Sequence, residues 1–162
     1  MSIKFNADEI FEIAEQVERN GAAFYRKAAG NFDDSAMKKK LLDLAVMEDA
    51  HEKRFTILRE ELVGQDAEAF VFDPDNQAAL YLQAVAEGKI FDLDVEPAAF
   101  LSDDVSAEDV FLFAIGLEKD SVVFYNSMKA MVSDDLGKKH IDEIIIEEIG
   151  HVAYLRTLID EL

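Results

Sequence analysis

The sequence predicts an all-α protein, a four-helix bundle built from two antiparallel helical hairpins joined by a long crossover. Three observations carry this. Ala, Leu, Ile, Glu and Lys recur at helical spacing through most of the 162 residues. Both prolines, Pro74 and Pro97, fall between residues 65 and 105. Residues 10–25 and 44–51 also match 110–125 and 144–151 at one offset of 100, with no gap.

Taken in order, the first helix is expected over 7–30, with Asn6 as its cap and Glu9 three residues on. The break "GNFDD" turns the chain into a second helix over 34–63. The crossover, 64–105, is expected to hold a short helix over 76–87, where Ala78, Tyr81, Leu82 and Val85 share a face. The runs "FVF" (70–72) and "IFDL" (90–93) beside it read as extended. A structureless loop that long is uncommon in a compact domain, but a connection running the length of a bundle accounts for it. Ser106, with Asp109 three residues on, opens a third helix over 107–132 as a looser capping box. "VSDD" leads into the fourth helix, 134–161. The whole is one domain, 1–162, with hairpins at 7–63 and 106–161.

Charge narrows the function. With 16 basic and 35 acidic residues the chain carries −19, which repels nucleic acid and anionic membranes and attracts metal cations and basic proteins. The absence of Cys excludes disulfides, thiolate zinc sites and Cys-held iron–sulfur clusters. The N-terminal "MSIKFNADEI" lacks a signal-type apolar run, and no stretch approaches the ~18 uninterrupted apolar residues of a membrane span. The expected setting is cytoplasmic, with no membrane or nucleic-acid partner.

The repeat matters for the positions it preserves. Phe11, Ala14, Glu18, Phe24 and Tyr25 recur as Phe111, Ala114, Glu118, Phe124 and Tyr125. Glu48 and His51 recur as Glu148 and His151. On every helix the bundle seam, spaced by three and four residues, is apolar except at its middle. The first reads Phe11, Ala14, Glu18, Gly21, Tyr25, Ala28, and the fourth Ile141, Ile144, Glu148, His151, Leu155, Leu158. Four carboxylates and two imidazoles are thereby turned inward at one level.

Four carboxylates in an apolar core repel one another and are poorly solvated. Two divalent cations would neutralise them, with the two imidazoles completing coordination. Glu and His three residues apart sit ~60° around the helix and ~4.5 Å along it, so each Glu-x-x-His can serve one metal. Mixed carboxylate and imidazole donors suit iron or manganese, and zinc can occupy such a site too. The two metals would form a dinuclear centre.

This pattern, one Glu on each of two helices and Glu-x-x-His on each of the other two, resembles the ligand set of the ferritin-like di-iron carboxylate superfamily. The twice-occurring "E-x6-Y … E-x2-H" pair is most similar to its rubrerythrin branch, over about three-quarters of the chain. The resemblance implies Glu18, Glu48, His51, Glu118, Glu148 and His151 as ligands of two metal ions. It places Tyr25 and Tyr125 near the site; each lies ~10 Å along its helix from its own Glu, and is either a hydrogen-bond partner of a ligand carboxylate on a neighbouring helix or a plain core tyrosine.

Two departures qualify it. The branch carries an additional Glu one turn before the third-helix ligand, where this chain has Ile115. The repeat-related position is Glu15, which is either a seventh ligand from the opposite side or a solvated flank residue. The Cys-bound rubredoxin module is also missing, so any electron donor is a separate protein. The shell-forming ferritins use a fifth helix, and the fourth ends the chain at Leu162, so a storage cage is not expected.

The expected function is redox chemistry on hydrogen peroxide or O₂ with Fe(II)/Fe(III) cycling, in a homodimer. One alternative is a metal-binding or iron-handling protein without turnover. A helical dimerisation module with a vestigial site is the third reading, and the intact ligand set argues against it.

Overall fold

The computed structural model of the chain describes residues 7–66, 80, 81, 84, 101, 102, 104–132 and 137–162. Four long helices dominate them: α1 (Ala7–Ala29), α2 (Ser35–Asp66), α3 (Ala107–Met131) and α4 (Lys138–Asp160). None is long and apolar enough to cross a membrane. The all-α four-helix bundle read from the sequence is the fold observed.

Local chemistry fixes most helix ends. Asp8 and Glu9 occupy the first turn of α1, and Arg26 and Lys27 its last, complementing the helix dipole. Backbone bonds from Gly30 N to Lys27 O and from Asn31 N to Ala28 O then tighten the chain into the turn. Asp34 accepts a hydrogen bond from Met37 N (2.7 Å), so it caps α2, which begins at Ser35 rather than 34. Ser106 caps α3 as expected, its Oγ accepting from Asp109 N at 3.1 Å and donating to Asp109 Oδ2 at 2.6 Å.

Two expectations need correction. The fourth helix was read from 134, but Gly137 sits at φ +84° and α4 starts only at Lys138. That left-handed conformation cannot continue a helix, and a Cβ at Gly137 would come within 2.6 Å of Leu58 Cδ2. The second helix was read as ending at 63, yet α2 runs through Gly64 to Asp66. A single helix glycine costs only about 1 kcal/mol, too little to stop a 32-residue helix. The Asn6 cap and the extended runs at 70–72 and 90–93 lie outside the described residues. Of the short helix at 76–87, Leu80, Tyr81 and Ala84 are described, and they are helical.

α1 packs along α2 and α3 along α4, each pair antiparallel, and the two hairpins face each other. Around the bundle the order is α1, α2, α4, α3. Arg19–Glu52 and Arg59–Asp8 tie α1 to α2, and Lys40–Glu161 and Arg54–Glu147 tie α2 to α4. The core forms two apolar blocks. One gathers Phe11, Phe55, Phe124, Tyr125, Met128, Ile141 and Ile144, with Tyr81 packed on it. The other gathers Phe24, Tyr25, Leu41, Leu44, Phe111, Leu155 and Leu158. α2 ends in the first block and α3 begins in the second, at the other end of the bundle.

Candidate metal centre

Between the two apolar blocks lies a polar layer. Glu18 comes from α1, Glu48 and His51 from α2, Glu118 from α3, and Glu148 and His151 from α4; all six are buried, none more than 5% exposed. The structure thus brings together every residue that the seam analysis singled out. Their donor atoms fall into two groups, each with its atoms within 4.8 Å of one another: Glu18, Glu48, His51 and Glu148, and Glu48, Glu118, Glu148 and His151. The groups are related by the 100-residue repeat, and Glu48 and Glu148 belong to both. The imidazoles stack across the layer, ring centroids 5.6 Å apart and planes inclined by 19°.

The layer fits a metal pair because its inward atoms lack other partners. Glu18 Oε2, Glu48 Oε1, both carboxylate oxygens of Glu148, and Nδ1 of both histidines are buried and make no hydrogen bond. His51 Nδ1 lies 2.9 Å from Glu148 Oε1, and His151 Nδ1 lies 3.1 Å from Glu48 Oε1 and 3.0 Å from Glu148 Oε2. These contacts are at ion-pairing distance. Buried polar atoms are normally satisfied, so six orphans converging on one layer point to a missing positive ligand.

The electrostatics agree. Burial, then the charge of Glu148, pushes Glu18 up to about 7. Burial, then Glu18 and Glu148, raises Glu48 well above the carboxylate range. Burial also raises Glu148. For the imidazoles burial acts downward, but Glu148 and Glu18 outweigh it and push His51 up to about 11. Glu118, Glu148 and Glu48 do the same for His151, to about 12. Among these carboxylates the protonated form of both imidazoles is favoured.

Tyr25 and Tyr125 reach the layer from opposite blocks and cross between hairpins. The Tyr25 hydroxyl donates to Glu118 Oε1, and the Tyr125 hydroxyl donates to Glu18 Oε1. Burial, then the neighbouring carboxylates, raises both phenols well above their usual range, so they remain protonated donors. Each orients the Glu of the opposite repeat, and Glu18 Oε2 is left without a hydrogen bond.

Glu15 joins neither group. It is buried, not solvated, and its Oε2 accepts from Arg59 Nη1 at 3.2 Å, beside Asp8. Arg59, 44 residues away on α2, holds it off the layer. Ile115 packs against the second apolar block and supplies no donor. His140 is exposed at the start of α4. Of the glycines near the site, only Gly21 is crowded, since a Cβ there would meet Glu48 Oε2 at 3.1 Å; Gly116 and Gly150 face open space.

Sequence reading missed Glu147 and Arg54. Glu147 Oε2 accepts from His51 Nε2 at 2.7 Å, and Arg54 braces the same carboxylate by donating from Nη1 to Oε1 at 2.8 Å. The signal available was a break in the repeat, since Glu147 aligns with Met47 and Arg54 with Tyr154.

Fold and layer define a class: a four-helix bundle with a buried, twofold-repeated carboxylate–imidazole cluster. The model of the ferritin-like domain family matches residues 6–161, and the chain belongs to that family. It is similar over 96% of its length, and over 95% of the other chain's, to a Thermotoga maritima structure assigned to the ferritin-like diiron-carboxylate proteins. That likeness, with a TM-score of 0.69 at 21% identity, supports the fold. Comparison with curated protein sequences finds no match.

Proposed function

We propose that the chain binds two metal ions, iron foremost, and uses them in oxidation–reduction with hydrogen peroxide or O₂. One observation carries the metal reading: two repeat-related groups of four buried donors, sharing Glu48 and Glu148, with their inward atoms unpartnered. Bound iron would supply the Fe(II)/Fe(III) couple, with manganese or zinc as substitutes that fit the same donors. Glu48 and Glu148, common to both groups, would help hold both ions; Glu18 with His51, and Glu118 with His151, would serve one position each. The tyrosines keep the terminal carboxylates oriented, and the two apolar blocks limit water. Electrons would come from a separate donor protein, for which the acidic surface suits a basic partner, and the working unit would be a homodimer in the cytoplasm.

Ile115 favours a second reading, a metal-handling protein without turnover, because it removes the extra carboxylate found in the rubrerythrins. Elemental analysis of anaerobically purified protein, with the absorption spectrum of the freshly oxidised form, tests metal binding. Two metals per chain are expected, and none would end the proposal. Peroxide consumption by the ferrous protein, faster than by free Fe(II), separates turnover from storage or transfer.

A further inference from the structure

The repeat holds for the six donors and fails just outside them. In each hairpin the imidazole turns Nδ1 to the layer and Nε2 away. For His51 that outer nitrogen donates to Glu147 on α4, and Arg54 secures the carboxylate through contacts of 2.8 Å to Glu147 and 3.2 Å to Glu143. This is a carboxylate–histidine pair behind a donor atom, fixing the ring and its tautomer with the Nδ1 lone pair inward. For His151 the corresponding positions on α2 and α4 carry Met47 and Tyr154, both exposed. Nε2 of His151 makes no hydrogen bond among the described residues, although the residue is only 5% exposed.

We propose that the two metal positions are built unequal: Glu147, braced by Arg54, makes the His51 position the tighter one, and the His151 position, which has no such pair among the described residues, holds its metal more loosely. The inference rests on the metal reading above and adds which position fills first and which exchanges. Glu147 is a positioning residue; it acts only through the His51 ring. Outer partners of this kind are worth 10–100-fold in metal affinity, which sets the expected difference. The carboxylate sets and the two tyrosine bonds, by contrast, repeat.

The test titrates the metal-free full chain anaerobically with Co(II), following its visible absorption. Shared carboxylates would separate two binding steps even in a symmetric site, so the variants decide. Glu147→Met gives position 147 the residue of its repeat partner and is expected to weaken the tighter step 10–100-fold, leaving the other. Met47→Glu supplies the missing carboxylate and is expected to strengthen the weaker step by a similar factor. Both positions are half-exposed, and helical circular dichroism checks that each variant folds. Paramagnetic proton NMR of the Co(II) form gives a readout that a merely structural role would not move. One imidazole N–H, that of His51, should resist exchange in the parent; it should be lost in Glu147→Met and joined by a second in Met47→Glu. Unmoved steps in both variants, or an exchange-resistant N–H belonging to His151 in the parent, overturn the proposal. Absence of Co(II) binding in the parent would instead fail the metal reading beneath it.

Discussion

If both imidazoles of the metal-free layer are protonated, metal must displace those protons, and the amount can be worked out. At neutral pH His51 (about 11) and His151 (about 12) are both imidazolium. Each must release a proton before Nδ1 can bind a cation, so two metals displace at least two protons per chain. Glu48, held well above the carboxylate range, and Glu18, raised to about 7, add to that number. Two protons change the apparent affinity for the metal pair about a hundredfold per pH unit, or about 2.7 kcal/mol. The metal-free protein moves the opposite way. The histidine values are raised from 6.5, so their contribution to stability is full below pH 6.5 and is lost as pH rises toward 11 and 12. The Glu18 value is raised from 4.5, so its contribution is full below pH 4.5 and is lost as pH climbs through about 7. From pH 6 to 9 metal-loaded protein should therefore gain thermal stability over chelator-treated protein, and the gap in Tm should widen with pH. Scanning calorimetry measures that gap, and isothermal titration in two buffers of different ionisation enthalpy counts the protons. Metal uptake without proton release, or a gap that narrows as pH rises, would refute the assignment of this layer as the binding site.

Further predictions follow the shape of the two groups. Glu18→Ala removes a donor from one group and should leave one tight metal per chain, whereas Glu48→Ala removes a shared donor and should lose both; elemental analysis after gel filtration reads the difference. Tyr125→Phe takes the hydroxyl from the buried Glu18 carboxylate and should cost about 1–3 kcal/mol in urea unfolding, with the metal count unchanged. Gly21→Ala brings a methyl to 3.1 Å from Glu48 Oε2. Displacing that carboxylate should lower metal affinity and should hold the metal-free stability below the full helix-propensity gain of about 1 kcal/mol. Gly150→Ala, which meets nothing within 4 Å, should give that full gain with affinity unmoved.

Which parts of this were readable beforehand follows from the range of the interactions. The six donors were legible because a helical period of 3.6 turns a spacing of three or four residues into a common face, and because the chain states the pattern twice. The Ser106 cap was legible for a similar reason: capping is settled within three residues. Glu15 was not, because Arg59 decides its direction from 44 residues away. The Glu147–His51 pair, 96 residues apart, depends on how α2 and α4 are turned toward each other, which neither helix encodes alone. The start of α4 was misread because "VSDD" is acidic and turn-like enough to open a helix. The positive φ of Gly137, packed on Leu58, instead sets the first residue.

The layer needs both hairpins. Glu18, Glu48 and His51 come from one hairpin and Glu148 from the other; the second group reverses this with Glu48. Each tyrosine likewise crosses from its own hairpin to the Glu of the opposite one. A lone hairpin would hold three donors, with no fourth and no tyrosine to orient its first Glu. The polar layer therefore makes docking of the hairpins conditional on its own neutralisation, by protons or by metal. The apolar blocks on either side contribute most of the docking energy, since Phe11, Phe24, Phe55, Phe111 and Phe124 are all fully buried there. The fold is thus carried by the two ends of the bundle, which leaves the middle free to keep six donors that would destabilise a core with nothing else to hold it.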